Sequence, residues 1–221
     1  MVENKLLTGE EVVTEKAGRW RVIRDAATEL FAERGFARVS VQEIADSAQT
    51  HKTTVLYHFE TKEALYSAVL DEALGRIAEV MHEFLASGFE GEGLRERVAY
   101  MLDQIHAHLA QHPAHARLLE WELLEVAAPN IYFEHFVERI YLPAVKSLEE
   151  AVARGVIQPV DPALFIHDLH VELIGYFCHR SLIERMKPGD AFSTEALIAR
   201  RNHLLDQIFF VLRPNESALP S

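Results

Sequence analysis

The sequence predicts an all-α protein, and two observations carry that prediction. Apolar residues recur at the spacing of one helical stripe in segment after segment, beginning with Ile23, Ala26, Ala27, Leu30 and Phe31. No segment alternates apolar and polar residues between turn residues, which is the pattern of a half-buried strand. Because 49% of the 221 residues are hydrophobic and 25% are charged, the chain can also bury a core rather than stay disordered.

Three short helices are predicted in the N-terminal part of the chain. The first carries the stripe that ends at Phe31 and stops before Gly35, a residue type that favours helix ends. The second begins at Ser40, because Ser40 and Glu43 have the spacing of a capping box, in which both side chains bond to backbone donors at a helix start. Its buried stripe consists of Val41, Ile44, Ala45 and Ala48.

The third helix is expected from about residue 51 to residue 59, after a break at Gln49 and Thr50. Val55 and Phe59 stand four residues apart and form its buried side. Its other faces are expected to be exposed.

The fourth helix opens at Thr61, a residue type suited to the N-cap, and runs to about Ser87, before Gly88. The first three helices and the start of the fourth are assigned to a first domain, residues 14–64. The rest is assigned to a second, larger domain, residues 65–215.

The second domain continues as helices. Asn130 is a candidate N-cap, and Asp161 with Pro162 supplies an N-cap followed by proline at the first helical position. Beyond the fourth helix, the predicted helical ranges are 94–111, 113–126, 130–155, 162–186 and 193–212.

The charge is unevenly distributed along the chain. The net charge is −12, yet residues 14–63 contain eight Lys or Arg and eight Asp or Glu, so the acidity lies in the remainder. Neutralised phosphates supply most of the non-specific affinity of proteins for nucleic acid. An acidic body would therefore repel DNA everywhere except through the neutral first domain.

Compartment and membrane contact can also be addressed from composition. Cys178 is the single cysteine, which excludes an internal disulfide and fits a reducing compartment. The opening residues have neither the basic start nor the apolar core of a signal peptide, and no apolar stretch approaches the roughly 20 residues of a membrane-spanning helix. We expect a cytoplasmic protein that does not contact a membrane.

The second and third helices have the features of a helix-turn-helix. In that motif the first helix is short and capped, and the second enters the major groove of DNA while burying one thin stripe. Polar side chains remain on the exposed faces of the third helix, and they can bond to phosphates and base edges. They are His51, Lys52, Thr53, Thr54, Tyr57 and His58. The alternative is a capped three-helix bundle used for packing, with Ser40 only a cap and Tyr57 only half-buried.

The order of residues in this region resembles the TetR (tetracycline repressor) family of transcriptional regulators. The resemblance rests on AATELFAERGF at 26–36, SVQEIA at 40–45 and TTVLYHFETKEAL at 53–65, and it covers roughly the first third of the chain. It implies that Ser40 and Lys62 touch phosphates at the two edges of the motif. It also implies that the side chains between them face bases and nearby phosphates: Thr50, His51, Lys52, Thr53 and Thr54, with Tyr57 and His58 further along.

Two positions depart from the pattern of the family. Gln49 stands where family members commonly have glycine, and Leu56 stands where they commonly have the tyrosine of the recognition helix. Tyr57 follows one position later.

The resemblance implies that the second domain encloses an effector cavity. Large apolar side chains and a few polar groups in this region are the candidate lining, and they favour an apolar or aromatic small molecule. The candidates are Met101, Ile105, His108, Leu118, Trp121, Glu122, Tyr132, Phe133, Phe136 and Val137. Each apolar member can instead be an ordinary core residue.

The last two predicted helices are expected to form a homodimer. The penultimate helix is apolar on most sides, and a glycine in its middle would allow close approach. The candidate interface residues are Leu173, Gly175, Phe177, Leu204, Ile208 and Phe209. A twofold dimer places two reading helices about 34 Å apart, or a multiple of that, and predicts a palindromic operator. The alternative is a monomer in which these faces fold inward.

Other functional classes find less support in the sequence. His108 with His112, and His167 with His170, have spacings at which two side chains could share an ion, but no cysteine cluster adds further ligands. No hydrolase motif, phosphate loop or dinucleotide fingerprint occurs. We therefore predict no cofactor, metal or enzymatic activity, and interpret the chain as a ligand-responsive regulator, more plausibly a repressor than an activator. A helical metal-dependent enzyme, or an effector carrier without DNA binding, is the alternative.

Overall fold

The computed structural model describes residues 9–124 and 133–213. These residues form helices and connecting turns without a strand, which confirms the predicted all-α class. The chain divides into two compact units, Met1–Val69 and Leu70–Ser221. The domain limits drawn from the sequence, 14–64 and 65–215, stay a prediction of where independently folding domains begin and end.

The first unit consists of three helices and the start of a fourth, α4 (Lys62–Ser87). The three are α1 (Gly9–Arg34), α2 (Val41–Ser47) and α3 (Lys52–Phe59). α1 has 26 residues, so the prediction of a short first helix was wrong. The apolar stripe from Ile23 to Phe31 did not mark the earlier turns of α1, where Trp20 also packs on another helix, against Phe59 of α3.

Aromatic rings fill the core of the first unit. Phe31 and Tyr66 are fully buried, and their ring centres lie 4.9 Å apart in an edge-to-face arrangement. Phe36 packs on both, at 5.9 Å from Phe31 and 4.8 Å from Tyr66. Such ring pairs add to the free energy gained from burial. This cluster joins α1 to the start of α4 within the first unit.

The second unit is built from the rest of α4 and six further α-helices. In order these are α4 (Lys62–Ser87), α5 (Leu94–Gln111), α6 (Pro113–Leu124), α7 (Leu142–Ala153), α8 (Pro162–Cys178), α9 (Arg180–Met186) and α10 (Thr194–Leu212). A π-helical segment, Phe133–Tyr141, leads directly into α7. The candidate N-cap Asn130 lies outside the described residues.

Helix starts in the second unit follow the caps that the sequence predicted. The Asp161 carboxylate accepts a hydrogen bond from Leu164 N at 3.1 Å at the start of α8. The predicted end of that helix was wrong, because the single helix predicted over residues 162–186 is broken at His179 into α8 and α9. No proline or glycine marks the break.

Two helix pairs organise the packing of the second unit: α6 lies against α8, and α5 lies against α10. Ion pairs at the α5–α10 contact join Arg201 to Asp103, at 2.7 Å, and Arg95 to Asp206. Among the residues that the structure describes, no helix is long and apolar enough to cross a membrane.

Candidate nucleic-acid interface and ligand cavity

The start of α2 is held by the predicted capping box. The Ser40 hydroxyl accepts a hydrogen bond from Glu43 N at 3.2 Å, and Ser40 N donates to the Glu43 carboxylate at 2.8 Å. The hydrogen bonds that the Glu43 carboxylate accepts from Ser40 N and from the Ser40 hydroxyl, with a weaker contribution from Arg34 at 3.0 Å, hold the pKa of Glu43 below its ordinary value. Because the Ser40 hydroxyl also donates to Glu43, at 2.8 Å, its proton is already engaged and only a lone pair remains for a donor from outside.

The turn between α2 and α3 passes through a left-handed residue. Gln49 has φ 51°, a region that residues with a β-carbon rarely adopt. Its N–H donates to Asp46 O at 3.1 Å, and Thr50 N–H donates to Ala45 O at 2.9 Å, so the end of α2 closes around this conformation. The backbone thus has the conformation that glycine adopts without strain, although glycine is absent here.

Replacing Gln49 with glycine should stabilise the first unit by about 1 kcal/mol, because glycine has no β-carbon to strain a left-handed backbone. Urea unfolding followed by circular dichroism measures the change. Gln42→Gly, in the first turn of α2, is the control and should destabilise by about 1 kcal/mol, because glycine has a low helix propensity and the variant loses the 2.8 Å hydrogen bond from the Gln42 amide to Asp46. Equal losses in the two variants would show that the turn is not strained.

α3 presents one buried side and one exposed side. Val55 and Phe59 are buried, as the sequence predicted. Tyr57 is 69% exposed, which excludes the alternative that it is only a half-buried packing residue. Lys52 is also exposed and forms no ion pair with a described residue. The helix therefore offers an aromatic ring and a cation on an otherwise polar surface.

A strained turn ends α3. Glu60 has φ 59° and ψ −52°, and the N–H of Thr61 donates to Phe59 O at 2.6 Å, which closes a γ-turn of the kind that is rare in proteins. The Thr61 hydroxyl then caps α4 by accepting from Ala64 N at 3.0 Å, as predicted. This tight connection leaves α3 and the start of α4 little freedom relative to each other within the first unit.

None of the nine side chains predicted to contact DNA is buried. Exposed members are Ser40, His51, Lys52, Thr53 and Tyr57, and half-buried members are Thr50, Thr54, His58 and Lys62. The Lys62 ammonium lies 4.1 Å from the centre of the Phe36 ring, a cation–π contact that holds it at the start of α4. Their contact with DNA stays a prediction.

Two apolar cavities lie in the second unit. The larger, about 60 Å³, is bounded mainly by aliphatic side chains of α4 to α8, with His170 as its one titratable neighbour. The smaller is about 40 Å³. Both are bordered by Met81, Ala144, Ile166 and Leu169. Because small-molecule sites usually have volumes above roughly 300 Å³, a ligand would have to displace these shared side chains.

The structure brings two of the ten predicted cavity residues to these cavities: Ile105 borders the larger and Met101 the smaller. Leu118 is fully buried and His108 bonds to Ala73 O at 3.3 Å, and neither lines them. Trp121, Glu122 and Val137 are half-buried and also do not line them. Tyr132 and the side chains of Phe133 and Phe136 lie outside the described residues.

Sequence reasoning missed the residues that border both cavities. Met81 and Ala144 are ordinary apolar positions of helical stripes, and no sequence signal separates a cavity wall from a filled core. The sequence drew attention to His170 through its spacing from His167 and not as a cavity residue. It is buried, and burial lowers its pKa to about 4, so a neutral imidazole borders the larger cavity.

Comparison with known proteins agrees with a helix-turn-helix in the first unit. The sequence model described as "Bacterial regulatory proteins, tetR family" matches residues 23–69. The HTH-type transcriptional repressor KstR2 of Rhodococcus jostii is 33% identical over 186 residues, which cover 82% of this chain and 86% of that protein. The chain belongs to the TetR family.

Other TetR-family proteins share parts of the sequence or the fold. The HTH-type transcriptional regulator RutR of Escherichia coli is 30% identical over 144 residues, covering 64% of this chain and 66% of RutR. A TetR family transcription regulator from Marinobacter aquaeolei has a similar fold, with a TM-score of 0.66 at 18% identity over 87% of this chain and 96% of that one. The protein is thus a TetR-family transcriptional regulator, and ligand-responsive regulation is typical of the family.

The predicted dimer residues of this TetR-family chain lie mostly inside the protomer. Four of the six are buried: Leu173, Phe177, Leu204 and Ile208. Phe209 is half-buried, and a β-carbon at Gly175 would meet only the His179 ring, at 3.7 Å. Because the four buried residues pack in the core, they have little surface left for a partner. Their contact with a second copy stays a prediction.

The outer faces of α8 and α10 carry exposed apolar side chains. Leu164 is 62% exposed and Phe210 is 68% exposed, and both border an open groove of about 380 Å³ between the two helices. Val171 and Val211 add further exposed apolar area on the same helices. Apolar patches of this kind commonly mark protein contacts.

The two histidine pairs singled out by their spacing in the sequence have different surroundings in the structure. His108 and His112 have ring centres 5.2 Å apart, and His115 joins them, with its Nδ1 3.1 Å from His108 Nε2. His167 is exposed beside Asp168, whereas His170 is buried. Within residues 9–124 and 133–213, no group of three ligands is placed to hold a metal ion.

Proposed function

We propose that the protein is a cytoplasmic repressor that binds a palindromic operator as a homodimer and is released by a small apolar or aromatic effector. One observation carries the DNA-binding part: α3 is packed through Val55 and Phe59 while Tyr57 and Lys52 project from it. A helix anchored on one thin stripe and polar elsewhere suits the major groove. Operator DNA is a cytoplasmic partner, which accounts for the proposed location.

The chemistry of the exposed face fits duplex DNA. The Lys52 ammonium can neutralise a phosphate, and the hydroxyls of Thr53 and Tyr57 can bond to phosphates or base edges. The first domain is neutral whereas the chain carries −12, so repulsion from the acidic body favours approach through α3.

A homodimer is supported by the outer faces of α8 and α10. Leu164 and Phe210 would lose their water-exposed area against a second copy, and Val171 and Val211 would extend the contact. A twofold axis there makes the surface complementary to itself and presents two α3 helices to one duplex. The palindromic operator follows from this symmetry.

An apolar effector is supported by the two cavities. Their shared border contains Met81, whose unbranched side chain can change rotamer to join them. A ligand that favours this opened arrangement shifts the protein toward it by no more than its differential affinity for the two states. Release from the operator would be the consequence.

The test begins with selection of duplexes from a random pool by the full-length protein at low salt. Lys52→Ala with Tyr57→Ala should weaken binding of the selected duplex by about 1–3 kcal/mol, or roughly 5- to 150-fold. Fluorescence anisotropy measures the affinity, and candidate apolar compounds are then added to the complex to test release.

Lys146→Ala with Tyr100→Ala is the matched control, because both residues are exposed and lie in the second unit. It should bind as the wild type does. Selection that enriches no duplex, or equal affinity of the Lys52/Tyr57 variant and the wild type, would refute the proposal.

A further inference from the structure

α1 begins well before the part of the chain that matches the family model. The helix starts at Gly9, whereas the match starts at residue 23. Residues 16–24 of this early part contain four cations, Lys16, Arg19, Arg21 and Arg24, and no carboxylate. This stretch is strongly basic in a first domain that is neutral as a whole.

The arginines of this basic stretch differ in their partners. Arg24 is engaged inside the unit, because its guanidinium pairs with Asp25 at 2.8 Å and lies 5.0 Å from the centre of the Trp20 ring. Arg19 and Arg21 are exposed, and neither forms an ion pair with a described residue. Among the described residues these two cations have no ion-pair partner, so they are available to an external anion.

Trp20 places these two arginines beside the recognition helix. Its ring stacks on Phe59, the last residue of α3, with ring centres 5.4 Å apart and an angle of 29° between the planes. Arg19 and Arg21 flank Trp20 along α1, and successive helical residues project about 100° apart. The two guanidinium groups therefore leave α1 on either side of the contact with the end of α3.

The length of α3 and the width of the major groove of DNA indicate where Arg19 and Arg21 would lie relative to the operator. The eight residues of α3 span about 12 Å at 1.5 Å per residue, close to the width of the major groove, about 12 Å. Lys52 lies at one end of this span and the Trp20–Phe59 contact at the other. A helix that crosses the groove brings its ends toward the phosphates that border it.

We propose that Arg19 and Arg21 bind phosphates of the operator backbone, beyond the contacts of the helix-turn-helix itself. The inference rests on the proposed DNA binding and adds a second, sequence-independent anchor supplied by the basic stretch of α1. The partner chemistry is the phosphodiester anion of duplex DNA, which cations on a stable helix neutralise without reading bases.

Salt dependence tests this anchor. Full-length Arg19→Ala/Arg21→Ala is titrated with the selected duplex and with a scrambled duplex at 50–200 mM KCl, an interval over which phosphate contacts show a strong salt effect. The affinity of the variant should fall at least about tenfold for both duplexes. Each lost phosphate contact lowers the slope of log K against log salt by about 0.9, so the loss of two contacts in each protomer of a dimer lowers it by about 3.6.

Two further variants separate charge from structure. Arg19→Lys/Arg21→Lys keeps both charges and should retain most of the affinity and slope. Lys146→Ala removes an exposed cation of the second unit and should change neither. Circular dichroism should be the same for all variants, because both arginines are exposed.

Failure of this inference can be distinguished from failure of the proposed function. A wild-type protein that binds no duplex would overturn both. A wild-type protein that binds, together with an Arg19→Ala/Arg21→Ala variant that keeps its affinity and slope, would overturn the phosphate anchor alone. A loss confined to the selected duplex would also overturn it, since that result indicates base reading.

Discussion

Replacing Phe31 with alanine is expected to destabilise the first unit by about 3–5 kcal/mol. Phe31 is fully buried and contacts the rings of both Phe36 and Tyr66, so truncation removes apolar burial and leaves a cavity between α1 and α4. A unit of this size is stabilised by only about 3–5 kcal/mol from its core. The variant should therefore unfold largely in its first unit.

Operator binding and circular dichroism together measure this effect. Binding of the selected duplex should be lost, while most of the helical signal, which comes from the second unit, should remain. Val22→Ala is the control on the same helix, because Val22 is 48% exposed and should change stability by less than about 0.5 kcal/mol. Duplex binding by Phe31→Ala at wild-type affinity would contradict the assignment of this ring cluster as the core that supports α3.

Local signals were the part of the fold that the sequence predicted well. The caps at Ser40, Thr61 and Asp161 depend on one side chain and a backbone donor three residues away, and the structure contains all three. Such short-range hydrogen bonds need no knowledge of the rest of the fold. The starts of the helices were accordingly more accurate than several of their lengths.

Features that depend on tertiary contacts were not predictable in this way. The early turns of α1 have no apolar stripe to mark them, and the break at His179 has no proline or glycine. Burial of Leu173 and Phe177 inside the protomer could not be separated from burial between two protomers, because both require apolar side chains. The two cavities bordered by Met81 could not be predicted for the same reason, because their walls are also apolar side chains.

The turn at Gln49 was predictable only in part. The resemblance marked the position as one where glycine is common, and the φ of 51° gives the physical reason. The sequence alone shows glutamine at a position where the family commonly has glycine. It does not show that the backbone at this glutamine is left-handed. The helix-turn-helix is retained because the hydrogen bonds around the turn fix it.

Two buried histidines should make the second unit sensitive to mild acid. His106 is 2% exposed, and neither of its ring nitrogens has a hydrogen-bond partner among the described residues. Burial, followed by the charges of Arg200 and Arg201 and opposed by Asp103, lowers its pKa to about 4. Burial, with a smaller effect of His167, lowers the pKa of His170 to about 4.

The direction of the effect follows from the difference between folded and unfolded states. Above about pH 6.5 both imidazoles are neutral in either state, so they contribute no pH dependence. Below it the unfolded chain takes up protons that the folded chain does not, until the folded pKa is reached near 4. Stability therefore falls as the pH is lowered through this interval.

Urea unfolding at pH 7 and pH 5 should show a loss of about 2 kcal/mol for each histidine, since each pH unit below 6.5 costs about 1.4 kcal/mol per group. His106→Leu removes one titrating group and an unsatisfied buried polar side chain, so it should reduce the loss by about half. His203→Leu, at an exposed position on α10, is the control and should keep the full loss. Equal stability of the wild type at pH 7 and pH 5 would mean that water reaches both rings, because a hydrated imidazole would bind its proton in the folded state as readily as in the unfolded chain.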